Sequence, residues 1–224
     1  MKPLIVFDMD GVLAEVTESY RLAIMETVRH FTGAEVTAAA IQGYKNRGGW
    51  NNDWLLSQQL CRDHGQEIPY QAVKDYFCRI FFGDNNDGLI AREQWMPRDG
   101  FFARLGARYN FAIFTGRDRK EARITLDKFA PDVVFDPLIT ADDTTEPKPS
   151  PQGLEMIRAA RPGAQLVYVG DTVDDARSAR AAGVPFYGIA SPATGWSAEL
   201  RSLLQAEGAA AVLDEVNQLE SILK

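Results

Sequence analysis

Asp8 and Asp10 lie two residues apart, directly after the apolar run Leu4-Ile5-Val6-Phe7 and before Gly11. Such a run ending at a glycine reads as a buried strand that closes in a turn. Carboxylates at that place need a cation, hydrogen-bond donors or a solvent-filled cleft, because burying them alone is costly. Candidate partners stand far along the chain. They are Thr115 and Gly116 after the apolar segment 111–114, Lys148 in a proline-containing loop, and Asp171, Asp174 and Asp175 after the apolar segment 166–169. Several carboxylates around one lysine and one hydroxyl are unfavourable without a bound metal, and oxygen-rich ligation lacking His and Cys favours Mg2+ over zinc. Each residue also has a plainer reading: Asp10 as a turn cap, Thr115 as a strand-end hydroxyl, Lys148 as a solvated loop charge.

These residues can meet only if the intervening chain folds back on itself. After Leu13 the pattern turns helical, with Tyr20, Ile24, Val28 and Phe31 at helical spacing, Thr17 or Ser19 as N-cap and Gly33 as stop. Further helices are expected over 37–42, 53–64 and 70–81, the last preceded by Pro69, with the Gly/Asn-rich segment 43–52 as a break. No strand is expected between Gly33 and Gly83. From Pro97 onward strands and helices alternate. Strands are expected at 111–114, 133–135, 166–169, 186–189 and, more weakly, 211–213. A short helix is expected near 101–105, then helices over 118–129, up to Ile157, up to Gly183 and at the end. This alternation predicts an α/β fold: a doubly wound, Rossmann-like parallel sheet covered on both faces. The core spans 1–15 and 93–224, and 16–92 is an all-helical insert. Open parallel sheets bind ligands at the carboxyl ends of their strands, where Asp8, Asp10, Thr115, Lys148, Asp171 and Asp175 fall.

The chain has 224 residues, 46% hydrophobic and 25% charged, an ordinary globular composition. A net charge of -7 argues against nucleic acid or an anionic membrane as a bulk partner. An anionic small substrate stays possible, since a metal ion and one lysine reverse the local field. Cys61 and Cys78 form no metal-type spacing and suit a reduced, cytoplasmic protein. The apolar run before Asp8 is too short for a signal peptide, and no segment approaches the ~20 apolar residues of a membrane span. No protein partner is indicated.

The segments Asp8-Met9-Asp10-Gly11-Val12-Leu13, Phe114-Thr115-Gly116, Lys148-Pro149-Ser150-Pro151 and Gly170-Asp171-Thr172-Val173-Asp174-Asp175 resemble the four ordered motifs of the haloacid dehalogenase superfamily. They resemble its phosphoglycolate-phosphatase-like branch, which carries a helical cap after the first motif, and the resemblance spans the whole chain. It implies a Mg2+-dependent phosphatase that hydrolyses a small-molecule phosphomonoester through an aspartyl-phosphate. On that reading Asp8 is the nucleophile, and Asp10 protonates the leaving alcohol and then takes a proton from water. The metal would be held by Asp8, the Asp10 backbone carbonyl and Asp171, with Asp175 supporting its waters or orienting Lys148. Thr115 and backbone N–H groups at Gly116 and after Asp8 would bind phosphoryl oxygens, and Lys148 would offset their charge. A carboxyl at position 10 fits phosphate esters rather than carbon–halide or phosphonate cleavage. Val12 and the pair Ala14-Glu15 depart from the usual pattern, which bears on the cap hinge.

Substrate choice should come from the insert, with Lys45 and Arg47 as contacts to the leaving group unless 45–52 is merely a helix connection. Arg117 is either a substrate contact or a surface charge at a helix start. Asp174 is expected to be solvated, and His30 and His64 are expected to be non-catalytic. Two other readings stand beside the phosphatase. One is a phosphosugar mutase of the beta-phosphoglucomutase type. The other is a phospho-aspartate receiver module, disfavoured because its metal-binding acids end the first strand and its phosphorylated Asp ends the third.

Overall fold

The computed structural model describes residues 2–223, so residues 1 and 224 of the expected core bounds lie outside the described residues. The chain divides into two compact units, one of Met1–Ala14 with Trp95–Lys224 and one of Glu15–Gln94.

The first unit is built on a six-stranded, all-parallel sheet. Its strands are β1 (Leu4–Phe7), β4 (Asn110–Phe114), β5 (Phe135–Ile139), β6 (Leu166–Gly170), β7 (Phe186–Ile189) and β8 (Ala211–Leu213), in the spatial order β5-β4-β1-β6-β7-β8. The two-residue strands β2 (Ala14–Glu15) and β3 (Gln94–Trp95), at the crossings between units, pair with each other. The sheet is covered by α5 (Phe101–Gly106), α6 (Arg119–Phe129), α7 (Gln152–Ala160), α8 (Val173–Ala182), α9 (Ser197–Ala206) and α10 (Leu219–Ile222).

β1 is buried along its whole length, and its residues alternate between two cores. Ile5 and Phe7 pack with Phe101, Leu105, Ile113 and Val169 on one face. Leu4 and Val6 pack with Phe114, Leu154, Ile157 and Tyr168 on the other. This period of two, with apolar residues on both sides, is what a central parallel strand requires. From β1 the chain steps outward through β4 to β5, then returns to the opposite side of β1 for β6, β7 and β8. The reversal of direction therefore falls at β1, and the crevice at a topological switch point opens beside the residues that follow it.

β5 is shifted from its expected place. It runs from Phe135 through Pro137 to Ile139, while Val134 is 75% exposed and Val133 donates back to the Ala130 carbonyl in a turn. A proline inside a strand is tolerated because β5 is an edge strand and pairs only with β4.

The second unit packs α1 (Leu22–Thr32), α2 (Ala38–Arg47), α3 (Asp53–Asp63) and α4 (Tyr70–Phe82). Ile24 and Val28 of α1 and Val73, Phe77 and Phe81 of α4 are fully buried, and the Tyr20 ring lies 4.3 Å from that of Phe81. Two local expectations are corrected here. Thr17 and Ser19 do not cap α1: the helical turn begins at Thr17, with Val16 in the cap position and no side-chain cap. α2 does not stop at Gln42 but runs through Gly43 to Arg47. The Thr37 side chain accepts from the Ala40 N–H at its start, and Gln42 donates to Asn46 one turn later. One glycine in a helix costs only about 1 kcal/mol, so these contacts carry the helix across it. The true break is Gly48-Gly49, both with positive φ. Among the described residues no helix is long and apolar enough to cross a membrane.

Candidate active site

Parallel pairing carries the strand ends to one edge. Phe7 stands opposite Val169 of β6 and Ile113 of β4, so Asp8 leaves the sheet level with Gly170 and Phe114. The Asp8 N–H donates to the Val169 carbonyl at 2.8 Å, and the Thr115 N–H donates to Ile139 at 3.0 Å. After Asp8 the chain reverses through Gly11, whose φ is +68°. A Cβ at Gly11 would come within 2.0 Å of the Asp171 Oδ2, so the turn is pressed against the Asp171 carboxylate. Only glycine allows both the backbone angle and the approach.

The centre of the site is a buried cation between two carboxylates. Lys148 Nζ lies 3.0 Å from Asp8 Oδ1 and 2.7 Å from Asp175 Oδ1. It also sits 4.8 Å from the Phe114 ring centre and 5.4 Å from that of Tyr168. Lys148 and Asp175 are almost fully buried, so the plainer reading of Lys148 as a solvated loop charge fails.

Asp175 is held on every side. It accepts from the Tyr168 hydroxyl at 2.6 Å and from the Thr172 hydroxyl and N–H at 2.6 and 3.0 Å, as the third residue of a capping box that opens α8. Burial pushes its carboxyl up, but Lys148, Thr172 and Tyr168 together outweigh that and hold it below the ordinary carboxylate range. Asp8 goes the other way. Burial, which Asp175 and Asp10 reinforce, pushes its carboxyl up to about 7 against the pull of Lys148. The Lys148 ammonium is raised: burial alone would lower it, and its two carboxylate partners reverse the sign.

Carboxylate oxygens of Asp8, Asp171 and Asp175 all lie within 4.8 Å of one another. An oxygen-only donor set of this kind, with one member poorly compensated by its surroundings, suits a small hard divalent cation. Asp10 does not join this group through its side chain. Its Oδ1 takes Arg117 Nη2 at 2.5 Å and Nε at 2.7 Å.

Other expected residues fall in different surroundings. Arg117, between the end of β4 and the start of α6, is buried, so its reading as a surface charge is overturned. Thr115 is buried, and its hydroxyl accepts from the Arg117 N–H at 3.2 Å, while Gly116 is exposed. Asp174 is only 2% exposed and lies 4.0 Å from Arg177, which corrects the expectation of a solvated side chain. Within the second unit, Lys45 is paired with Asp53 at 2.9 Å, and the Arg47 guanidinium lies 4.0 Å over the Tyr44 ring. Both stand on the last turn of α2 rather than in a loop. His30 stacks on Tyr76 and meets Phe31 edge-to-face. Sequence reasoning missed Tyr168, which holds Asp175, and Thr125, whose hydroxyl accepts from Arg117 Nη1 at 2.7 Å. A lone hydroxyl inside the apolar run 166–169 was the available signal for Tyr168.

Comparison with known proteins gives one family across most of the chain: residues 2–183 match haloacid dehalogenase-like hydrolases. A protein from Phytophthora nicotianae named imidazoleglycerol-phosphate dehydratase is 36% identical over 199 residues. That match takes in 85% of this chain but 44% of the relative, so the chain spans less than half of that protein's length. A phosphoglycolate phosphatase from Cereibacter sphaeroides is 25% identical over 185 residues, covering 82% of this chain and 83% of its own. Among solved structures, a predicted phosphoglycolate phosphatase from Haemophilus somnus superposes with a TM-score of 0.77 at 18% identity, covering 100% of this chain and 98% of that one.

Proposed function

Because the chain belongs to the haloacid dehalogenase-like hydrolase family, we propose that it is a Mg2+-dependent phosphatase of a small-molecule phosphomonoester. The observation that carries this reading is the Asp8–Lys148–Asp175 arrangement beside Asp171, at the switch point of a parallel sheet. The first unit is the catalytic core and the second its cap.

In the reaction, an Asp8 carboxylate oxygen attacks phosphorus, and the bond to the leaving oxygen breaks. Asp10 gives that oxygen its proton, so the alcohol leaves neutral. Asp10, now ionised, takes a proton from water as the water attacks the aspartyl-phosphate. Inorganic phosphate departs and the Asp8 carboxylate is restored. Lys148, fixed by Asp175, faces Asp8 throughout and offsets the charge of the transferring group, which is most of what phosphoryl transfer needs. Thr115 and the N–H groups of Gly116 and of the turn after Asp8 bind phosphoryl oxygens. Asp8, Asp171 and the Asp10 backbone carbonyl would hold Mg2+, which when bound neutralises phosphoryl charge. Asp175 serves by holding Lys148.

Lys45 and Arg47 remain our candidates for leaving-group recognition. Two relatives suggest which esters to try first: a carboxylate-bearing one such as phosphoglycolate, and an imidazole-bearing one, after the name of the Phytophthora protein. The small number of cysteines, Cys61 and Cys78, suits a cytoplasmic setting.

The test is phosphate release from a panel of metabolite phosphates with and without Mg2+. Asp8→Asn should abolish release, and chelation with EDTA should do the same. Turnover that persists in Asp8→Asn would remove this nucleophile. A requirement for a sugar bisphosphate, with no free phosphate formed, would favour the mutase alternative.

A further inference from the structure

Arg117 makes contacts that neither substrate binding nor simple packing requires. Its side chain is 1% exposed, whereas that of Asp10, which it pairs with, is 33% exposed. Nε and Nη2 both close on the same Asp10 oxygen, Oδ1, at 2.7 and 2.5 Å. From the other side of the guanidinium, Nη1 donates to the Thr125 hydroxyl at 2.7 Å. Thr125 is itself buried on α6, whose start is fixed by a capping box between Asp118 and Glu121. Arg117 is thus a rigid strut running from the body of α6 to one oxygen of a carboxylate that is one-third exposed. A planar guanidinium fork suits this purpose, since it sets direction as well as charge.

We propose that Arg117, anchored by Thr125, is a positioning residue. It occupies Asp10 Oδ1 and so leaves Oδ2 as the oxygen that carries the proton to the leaving group. This deepens the phosphatase reading above and rests on it. With Oδ1 held by the buried guanidinium, and the Asp10 side chain still 33% exposed, Oδ2 is the oxygen left to serve a leaving group. Proton transfer is steeply sensitive to such placement, and a carboxyl free to rotate forfeits part of its contribution. Arg117 is therefore not a substrate contact.

The test compares two esters whose leaving groups differ in their need for a proton. Hydrolysis of p-nitrophenyl phosphate expels a stable phenolate, while an alkyl phosphate expels an alkoxide that must be protonated. kcat/KM reports the steps through release of that group. Arg117→Met should lower kcat/KM for the alkyl ester about 30- to 100-fold and for the aryl ester less than about 3-fold, consistent with loss of part of a general-acid contribution. Thr125→Val, which removes the anchor but keeps the arginine, should give the same preference at about 5-fold on the alkyl ester. It serves if Arg117→Met fails to fold. Added to Asp10→Asn, the Arg117→Met change should cost nothing more on the alkyl ester. Equal losses on both esters, or a further loss in the double variant, would overturn the proposal. Failure of the phosphatase reading looks different, because the unmodified protein would then hydrolyse neither ester, or Asp8→Asn would leave hydrolysis of both intact.

Discussion

At the scale of single residues, the site depends on charges that are compensated to different degrees. Glu121, the partner of Asp118 in the capping box, is nearly buried beside Arg117. Burial, with the neighbouring Asp118 adding to it, pushes its carboxyl from the ordinary 4.5 up to about 8. The folded chain therefore keeps a proton on Glu121 at neutral pH that the unfolded chain releases above about 4.5. The stability tied to this group is fully present below pH 4.5 and is lost as pH rises through 8, on the order of a few kcal/mol. Glu121→Gln, which copies the neutral form, should flatten that slope. Urea midpoints measured between pH 5 and pH 9 would show it, and an unchanged slope would assign the pH dependence elsewhere. The carboxylates of the site were legible in the sequence because each follows an apolar run. The contact between Asp10 and Arg117 was not, because 107 residues separate them and no local pattern marks an arginine as buried.

At the scale of elements, the turn after β1 is closely fitted against the end of β6. Gly11→Ala would demand a left-handed angle costing about 1–2 kcal/mol and would drive a methyl group into Asp171. The expected result is a loss of about 100-fold or more in kcat/KM, because a 1 Å displacement of a positioned group has that order of effect. The melting temperature should fall only a few degrees. Normal kinetics from a folded Gly11→Ala protein would contradict the close approach of turn and carboxylate. β1, β4 and β6 were legible because their apolar runs are unbroken and end in turn residues. β5 was displaced in the reading because Pro137 argues against a strand wherever both neighbours need an N–H, and its place at the edge is a tertiary fact. α2 was cut short for a similar reason: Gly43 and Asn46 argue locally for a turn, and the bonds that carry the helix past them are side-chain contacts.

At the scale of the whole molecule, each unit has its own core, so each can lose its structure separately. Phe77 is fully buried among aromatic rings of the second unit, 6.4 Å from Tyr20 and 5.7 Å from Phe81. Truncating it to alanine should cost about 3–5 kcal/mol. Hydrogen exchange on Phe77→Ala should show protection falling across 15–94 while amides of β1, β4 and β6 stay protected. Uniform loss over both units would mean that they unfold as one.

The central place of β1 also bears on how the protein is made. Leu4 of β1 lies beside Asn110 of β4 and Leu166 of β6. On the ribosome, this apolar strand must wait for both neighbours to be translated before its two edges are covered. Until then Leu4–Phe7 is an unpaired template for other chains, and pairing over such separations is slow. A chain cut short between β4 and β6 would keep one edge of β1 open for good and should collect in the insoluble fraction. One cut just after β6 would have that edge closed. The strand that delivers Asp8 is thus translated before both of its neighbours and sealed late, so its edges stay open to other chains in the interval.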